Sequence, residues 1–271
     1  MEQNQVSVIK RDFIRNLLKE GKRQDGRGFD DMRELKIDVG YIPRANGSAY
    51  VQLGNTKVIA GVKVQVDKPY PDSPNRGNFM TSAEFCIMAS PNFEQGPPRI
   101  EAIEVARVTD RALRESNIIE MSDLCIEEGE AVWGVFVDME VLDYDGNLFD
   151  ACSIAALAAV MNAQLPATCP KTGREVYDEP KPLPLHMDNA TFNTTFVKID
   201  GNVLVDPSLY EELICDTRVT MGVDPKGAMR GAQKGGFGAW TVDEIKRLRK
   251  QAHDIHKKVF KAIEKAVKAA S

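Results

Sequence analysis

A chain of 271 residues with 43% hydrophobic side chains can bury a full core, as one large domain or two small ones. No apolar run approaches the ~20 residues of a membrane helix, and Met1-Glu2-Gln3-Asn4-Gln5 lacks the basic start and apolar core of a secretory signal, so the expectation is a cytoplasmic protein with no membrane partner. The net charge of −5 is unevenly spread: residues 242–271 hold nine Lys/Arg against four Asp/Glu, or +5, which leaves −10 on the other 241 residues and argues against broad nucleic-acid binding.

The first predicted element is a helix from about Ser7 to Glu20, with apolar residues at Ile9, Phe13, Ile14, Leu17 and Leu18 and Gly21 as its stop. Period-two alternation follows at 35–39, 49–53 and 58–66, with a Gly54-Asn55 turn, and predicts an antiparallel meander. A loop with three prolines at 67–78 precedes a strand at 79–89, and a helix is expected from about Arg99 to Ser116. The second half repeats that order: a long strand at 131–142, a helix to about Gln164, a proline-rich connector at 166–184, strands near 194–199, 203–205 and 213–221, and a closing helix. That helix starts at Thr241-Val242-Asp243-Glu244, the spacing of a capping box, and buries a stripe at Ile245, Leu248, Ala252, Ile255, Val259 and Ile263. Two rounds of strands and helices make this an α+β fold with an internal pseudo-repeat.

Several residues invite chemistry that their surroundings do not support. Cys86, Cys125, Cys152, Cys169 and Cys215 are odd in number and widely spaced, so they read as reduced, mostly buried residues rather than disulfides or a zinc site. His253 and His256 read as surface residues without a third ligand, and no metal or other cofactor is expected. Gly231 to Gly238 lacks the Gly-Lys-Ser/Thr ending of a phosphate loop and reads as a mobile link into the last helix. Arg107, Arg111 and Arg114 fall at i, i+4 and i+7, so three guanidinium groups on one face could grip successive phosphates of a single strand. The competing reading is a solvated face paired with Glu104 and Glu115. Arg76, in the proline-rich loop, is a weaker candidate of the same kind.

The segment Asp143 to Ala159 is the most informative. Asp145-Gly146-Asn147 supplies turn residues, Leu148-Phe149-Asp150 opens a helix, and Asp150 is placed to cap its free N–H groups. A helix start of this kind attracts anions. Yet no Lys, Arg or His occurs between Glu140 and Pro166, so the frame of a phosphate site lacks its positive charge.

Arg23-Gln24-Asp25-Gly26-Arg27, Ala45-Asn46-Gly47-Ser48-Ala49, Leu53-Gly54-Asn55-Thr56, Gly96-Pro97-Pro98, Ala106 to Arg114 and Val141 to Asn147 together resemble the RNase PH family, in the same order and over about residues 5 to 265. Within it the chain looks most like the non-catalytic ring subunit of the archaeal exosome. The resemblance implies a ribosomal S5 domain 2-like fold, with RNase PH-like domains at 30–166 and 190–260 and residues 1–29 packed on the same fold. It also implies a hexameric ring of three heterodimers with a catalytic sister subunit, S1/KH-type RNA-binding caps, and phosphate-dependent degradation of single-stranded RNA from the 3′ end.

Phosphorolysis needs bound phosphate and positive charge to offset repulsion between two anions. Active family members resemble one another in a Gly-Gly-Thr-Arg or Gly-Ser-Arg helix start, whereas this chain reads Gly146-Asn147-Leu148-Phe149-Asp150, with Phe149 at or next to the arginine position. Each unit charge nearby matters by up to about 4 kcal/mol at an effective dielectric of ~20, so Asn147, Phe149 and Asp150 form a degenerate phosphate site. Asp200 and Asp206 resemble the family's acidic pair; read from the residues alone, Asp200-Gly201-Asn202 is a hairpin turn and Asp206-Pro207 ends a strand. The expectation is a ring subunit without its own active site that shapes the sister's site and holds RNA with Arg107 and Arg111, Arg114 being less well matched. The rivals are an active phosphorolytic exoribonuclease and an interaction module with no RNA role.

Overall fold

The structure, a computed structural model, describes residues 6–168 and 175–270. Helix α1 (Val8–Lys19) starts where Ser7 accepts the Lys10 N–H at 3.3 Å, and it buries Ile14 and Leu18. Strands β1 (Leu35–Val39), β2 (Gly47–Leu53) and β3 (Thr56–Asp67) form the expected antiparallel run. Strand β4 (Asn78–Phe85) does not extend it. After helix α2 (Ile100–Arg114) and a short β5 (Cys125–Glu127), the long β6 (Ala131–Asp143) inserts between β3 and β4. It pairs antiparallel to β3 and parallel to β4, so β4-α2-β6 is a crossover unit rather than part of a meander. The order across the sheet is β1-β2-β3-β6-β4, which leaves β4 at an edge.

Helix α3 (Leu148–Met161) is buried from Leu148 to Val160, packed between the first sheet and the second. Its alanines and Cys152 allow close approach. A Cβ built on Gly47 would lie 2.4 Å from the Ala159 carbonyl, so strand and helix meet backbone to backbone. A two-stranded piece, β7 (Gln164–Leu165) with β8 (Lys181–Pro182), borders the connector.

The second sheet runs β10 (Asn202–Val205), β9 (Phe192–Ile199), β11 (Thr217–Val223), β12 (Met229–Gly236) in spatial order, all antiparallel. Two elements differ from the sequence reading. Residues 209–214 form helix α4 (Leu209–Ile214), started by a Ser208–Glu211 capping box, so Leu213 and Ile214 end a helix instead of opening the strand expected at 213–221. The expected mobile link at 231–238 is largely the edge strand β12, whose glycines sit in a ladder from Thr217↔Gly236 to Val223↔Met229. Helix α5 (Val242–Ala270) closes the fold, with Thr241 and Glu244 exchanging cap bonds at 2.7 and 3.2 Å.

The expected stripe of α5 is buried except for Ile245, which is half-buried. His256 belongs to that stripe, which corrects the surface reading: it stacks on Phe192 and Phe260 and bonds the Ala190 carbonyl at 2.9 Å. His253 bonds the Pro225 carbonyl. Cys152 is fully buried, whereas Cys86, Cys125 and Cys215 are half-buried; all four are free, and Cys169 lies outside the described residues. A second small core, Ile14 and Leu18 against Val197, Ile199, Leu204 and Ile214, joins α1 to the outer face of the second sheet.

Candidate functional site

The turn from β6 into α3 is held from three sides. Gly146 has φ +89°, and a Cβ there would sit 2.5 Å from the Leu209 nitrogen, so the turn is closed to any other residue. Thr56 Oγ1 donates to the Gly146 carbonyl at 2.7 Å, and the Arg33 guanidinium donates to the Asp145 and Gly146 carbonyls at 2.8 and 3.2 Å. Asn147 is left-handed at φ +55°, the conformation anticipated for this turn.

Asp150 does not cap α3. Its carboxylate turns toward β9, accepting from Thr195 Oγ1 at 2.7 Å, the Thr195 N–H at 3.1 Å and Asn147 Nδ2 at 2.8 Å. Burial pushes its pKa up to about 7; the hydrogen bonds from Asn147 and Thr195 oppose that rise, and the Asp206 charge adds to it. The helix start is closed by a residue the sequence did not single out. The Asn147 N–H donates to Glu212 Oε2 of α4 at 2.8 Å, placing a carboxylate on a position suited to an anion. Burial raises the Glu212 pKa, while the Asn147 bond and Arg218 pull it down.

Phe149 is buried and carries the Arg218 guanidinium over its ring at 4.0 Å. Arg218 bonds Glu104 at 2.7 Å and lies 3.8 Å from Glu212. The cation in this corner is therefore spent on the chain's own acids. Glu212 and Arg218 lie more than 60 residues along the chain from Asn147, with no local motif to mark them.

Asp200 and Asp206 share no bonding partner. Asp200 occupies the β9–β10 turn at φ +46°, as the residue reading of a hairpin turn expects, with Arg15 at 3.5 Å. Asp206 is fully buried at φ +47°. Arg33 approaches it at 2.7 Å, Arg27 at 3.1 Å and Asn147 Nδ2 at 2.7 Å. Burial alone would raise the Asp206 pKa, but the Arg33 hydrogen bond and charge hold it below the usual carboxylate value. Arg23 from the same N-terminal motif forks onto Glu211 at 2.9 and 2.6 Å and bonds the Asp206 carbonyl, so Arg23, Arg27 and Arg33 clamp the N-terminal segment to the second sheet. Among the described residues no group of three or more His, Cys, Asp or Glu could hold a metal ion, and no helix is long and apolar enough to cross a membrane.

The arginines of α2 divide. Arg107 is exposed, and its side chain has no hydrogen bond or ion pair among the described residues. Arg111 is exposed and touches Gln233 of β12 at 2.7 Å. Arg114 does not join that face: it forks onto Asp110 with two 2.8 Å bonds and donates to the Phe79 carbonyl at 2.7 Å, and the Asp110 bond raises its pKa. Arg76 is an exposed residue of the loop before β4.

Residues 31–166 match the model of domain 1 of the 3′ exoribonuclease family, RNase_PH, and residues 192–255 match domain 2. The chain is 47% identical over 254 residues to the exosome complex component Rrp42 of Thermoplasma acidophilum, covering 94% of this chain and 95% of that protein. It is 46% identical over 268 residues to Rrp42 of Pyrococcus horikoshii, covering 96% and 97%. Among solved structures it superposes with TM-score 0.87 on a chain of the Archaeoglobus fulgidus exosome with RNA bound to the active site, at 42% identity over 93% of this chain and 97% of that one. A chain of an archaeal exosome core gives 0.84 at 38% identity, covering 94% and 96%. With both domain models matched over more than half of its length and relatives near 45% identity across nearly all of it, the chain belongs to the RNase PH family of 3′ exoribonucleases.

Proposed function

We propose that this chain is a ring subunit of an exosome of the Rrp42 kind, without an active site of its own, that completes the site of a neighbouring catalytic RNase PH-like subunit and contributes RNA contacts to phosphate-dependent 3′-to-5′ degradation. The observation that carries this reading is Glu212 on the Asn147 N–H. An inorganic phosphate at that helix start would have to displace a resident carboxylate and would meet the buried ring of Phe149, at or next to the position that in the resemblance carries an arginine. Repulsion between phosphate and Glu212 and the absence of a free guanidinium both oppose binding. Asp206, buried and bonded to three side chains, is engaged as a structural acid.

What the chain offers RNA is Arg107 and Arg111, exposed on one face of α2; a single strand running past them would exchange counterions for two guanidinium groups. Three such chains alternating with three catalytic sisters, under S1/KH-type caps, complete the reading. Incubating the purified chain with single-stranded RNA and phosphate tests it: no nucleoside diphosphate should appear from the chain alone, and release should begin on addition of the catalytic sister. Release by the chain alone would assign it an active site.

A further inference from the structure

We propose that the groove between the end of β4 and the start of α2 seats a segment of the neighbouring ring subunit carrying a lysine or arginine between apolar side chains. This rests on the ring-subunit reading above. The groove is a cavity of about 460 Å³ whose lining includes Glu84, Cys86, Met88, Phe93, Arg99 and Glu140. Glu84 and Glu140 face each other directly across the parallel β4–β6 pair, and Ser82↔Asp138 is two positions along. Like charges in register destabilise a sheet unless a cation lies between them. Among the described residues no basic side chain bonds Glu84 or Glu140, and the one cation of the lining, Arg99, is paired with Glu94. Burial, and then the Glu84 charge, push the Glu140 carboxyl above its ordinary pKa, consistent with a missing counterion.

Exposed apolar side chains lie beside it. Met88 is 79% exposed and Ile87 54%; on α2, Ile100 is 74% exposed and Ile103 47%. Ile100, Ile103 and Arg107 fall at i, i+3 and i+7, so the exposed apolar residues of α2 share a helix face with Arg107. Single exposed apolar residues are ordinary, but Ile87 and Met88 line a cavity at a sheet edge whose other wall opens toward the start of α2, which marks a contact surface. The carboxylates decide the occupant: they repel a phosphate backbone and favour a cationic, apolar protein segment.

The test compares the free chain with the ring reconstituted from it and the catalytic sister, assembly being followed by native mass spectrometry. Peroxide oxidation of Met88 and carbodiimide labelling of Glu84 should both slow several-fold in the ring. A ring that forms while both sites react at the rates of the free chain overturns the groove assignment and leaves the ring reading standing; failure of any ring to form overturns both. The double variant Met88→Asp/Ile100→Asp, at two exposed positions, should raise the concentration for half-assembly roughly tenfold or more at unchanged melting temperature, as a contact surface requires. Unchanged assembly by that variant would also overturn the assignment.

Discussion

The backbone N–H of Asn147 donates to the carboxylate of Glu212 at 2.8 Å, so a side chain from α4 occupies the anion-attracting start of α3. The same carboxylate lies near Arg218, which sits over Phe149. Removing Glu212 leaves a buried N–H without a partner and a guanidinium short of one acid. Glu212→Ala should lower unfolding free energy by about 1–3 kcal/mol, read from urea denaturation; an unchanged midpoint would mean that the bond contributes nothing.

On the proposed reading, an arginine introduced at Phe149 should not by itself create a phosphate site. Phe149→Arg would remove a buried ring and place a second guanidinium against Arg218, which lies 4.0 Å above that ring. The expected outcome is a variant destabilised by at least about 2 kcal/mol, with a melting temperature that phosphate does not raise. A phosphate-dependent rise in melting temperature would show that the site needs only its arginine.

Two buried carboxylates joined by Asn147 make opposite contributions to stability with pH. Asp206 has a folded pKa below its unfolded value, so its contribution is present above the unfolded pKa and is lost as pH falls through the folded one. Asp150 is the reverse: folded near 7 and unfolded near ~3.9, it holds its proton in the native state, so its contribution declines as pH rises from about 4 to about 7. Asp150→Asn can present its oxygen to Asn147 and Thr195 N–H and its amide to Thr195 Oγ1. The variant should fold and lack the wild-type loss of stability across that window, as measured by denaturant titration at several pH values. An identical pH profile would contradict the assignment.

Much of the fold was legible because it is carried by local pattern. Ser7 starts α1, Gly54-Asn55 turns β2 into β3, and Thr241 with Glu244 opens α5, each by short-range chemistry. What failed depended on distance. Nothing within 79–89 says that β4 will pair with β6 instead of β3, and β12 was hidden because its glycines break the apolar alternation that identifies a strand. The turn and helix start at 145–150 and its lack of basic residues are local features, but its closure by Glu212 and Arg218 comes from another part of the chain. Asp150 looked like a cap on sequence position alone, and its carboxylate is claimed by Thr195 across the core. Arg114 fitted the helical spacing of its neighbours, yet Asp110 one turn back takes it.

That division among the arginines separates two phenotypes. Arg107→Glu with Arg111→Glu should weaken single-strand RNA binding by the reconstituted ring and flatten its salt dependence while leaving the melting temperature of the chain in place. Arg114→Ala should do the opposite, costing about 1 kcal/mol of stability through loss of the Asp110 and Phe79 bonds with RNA affinity unchanged. Equal losses of RNA affinity in both variants would show that the three residues act as one surface.

The most direct test of the central claim is phosphate-dependent release of nucleoside diphosphates by a ring in which the catalytic sister carries an inactivating substitution at its own phosphate site and this chain is wild type. The account predicts no release from single-stranded RNA, because every helix start able to take phosphate has been removed while Glu212 still closes this one. Release that continues with phosphate from such a ring would contradict it.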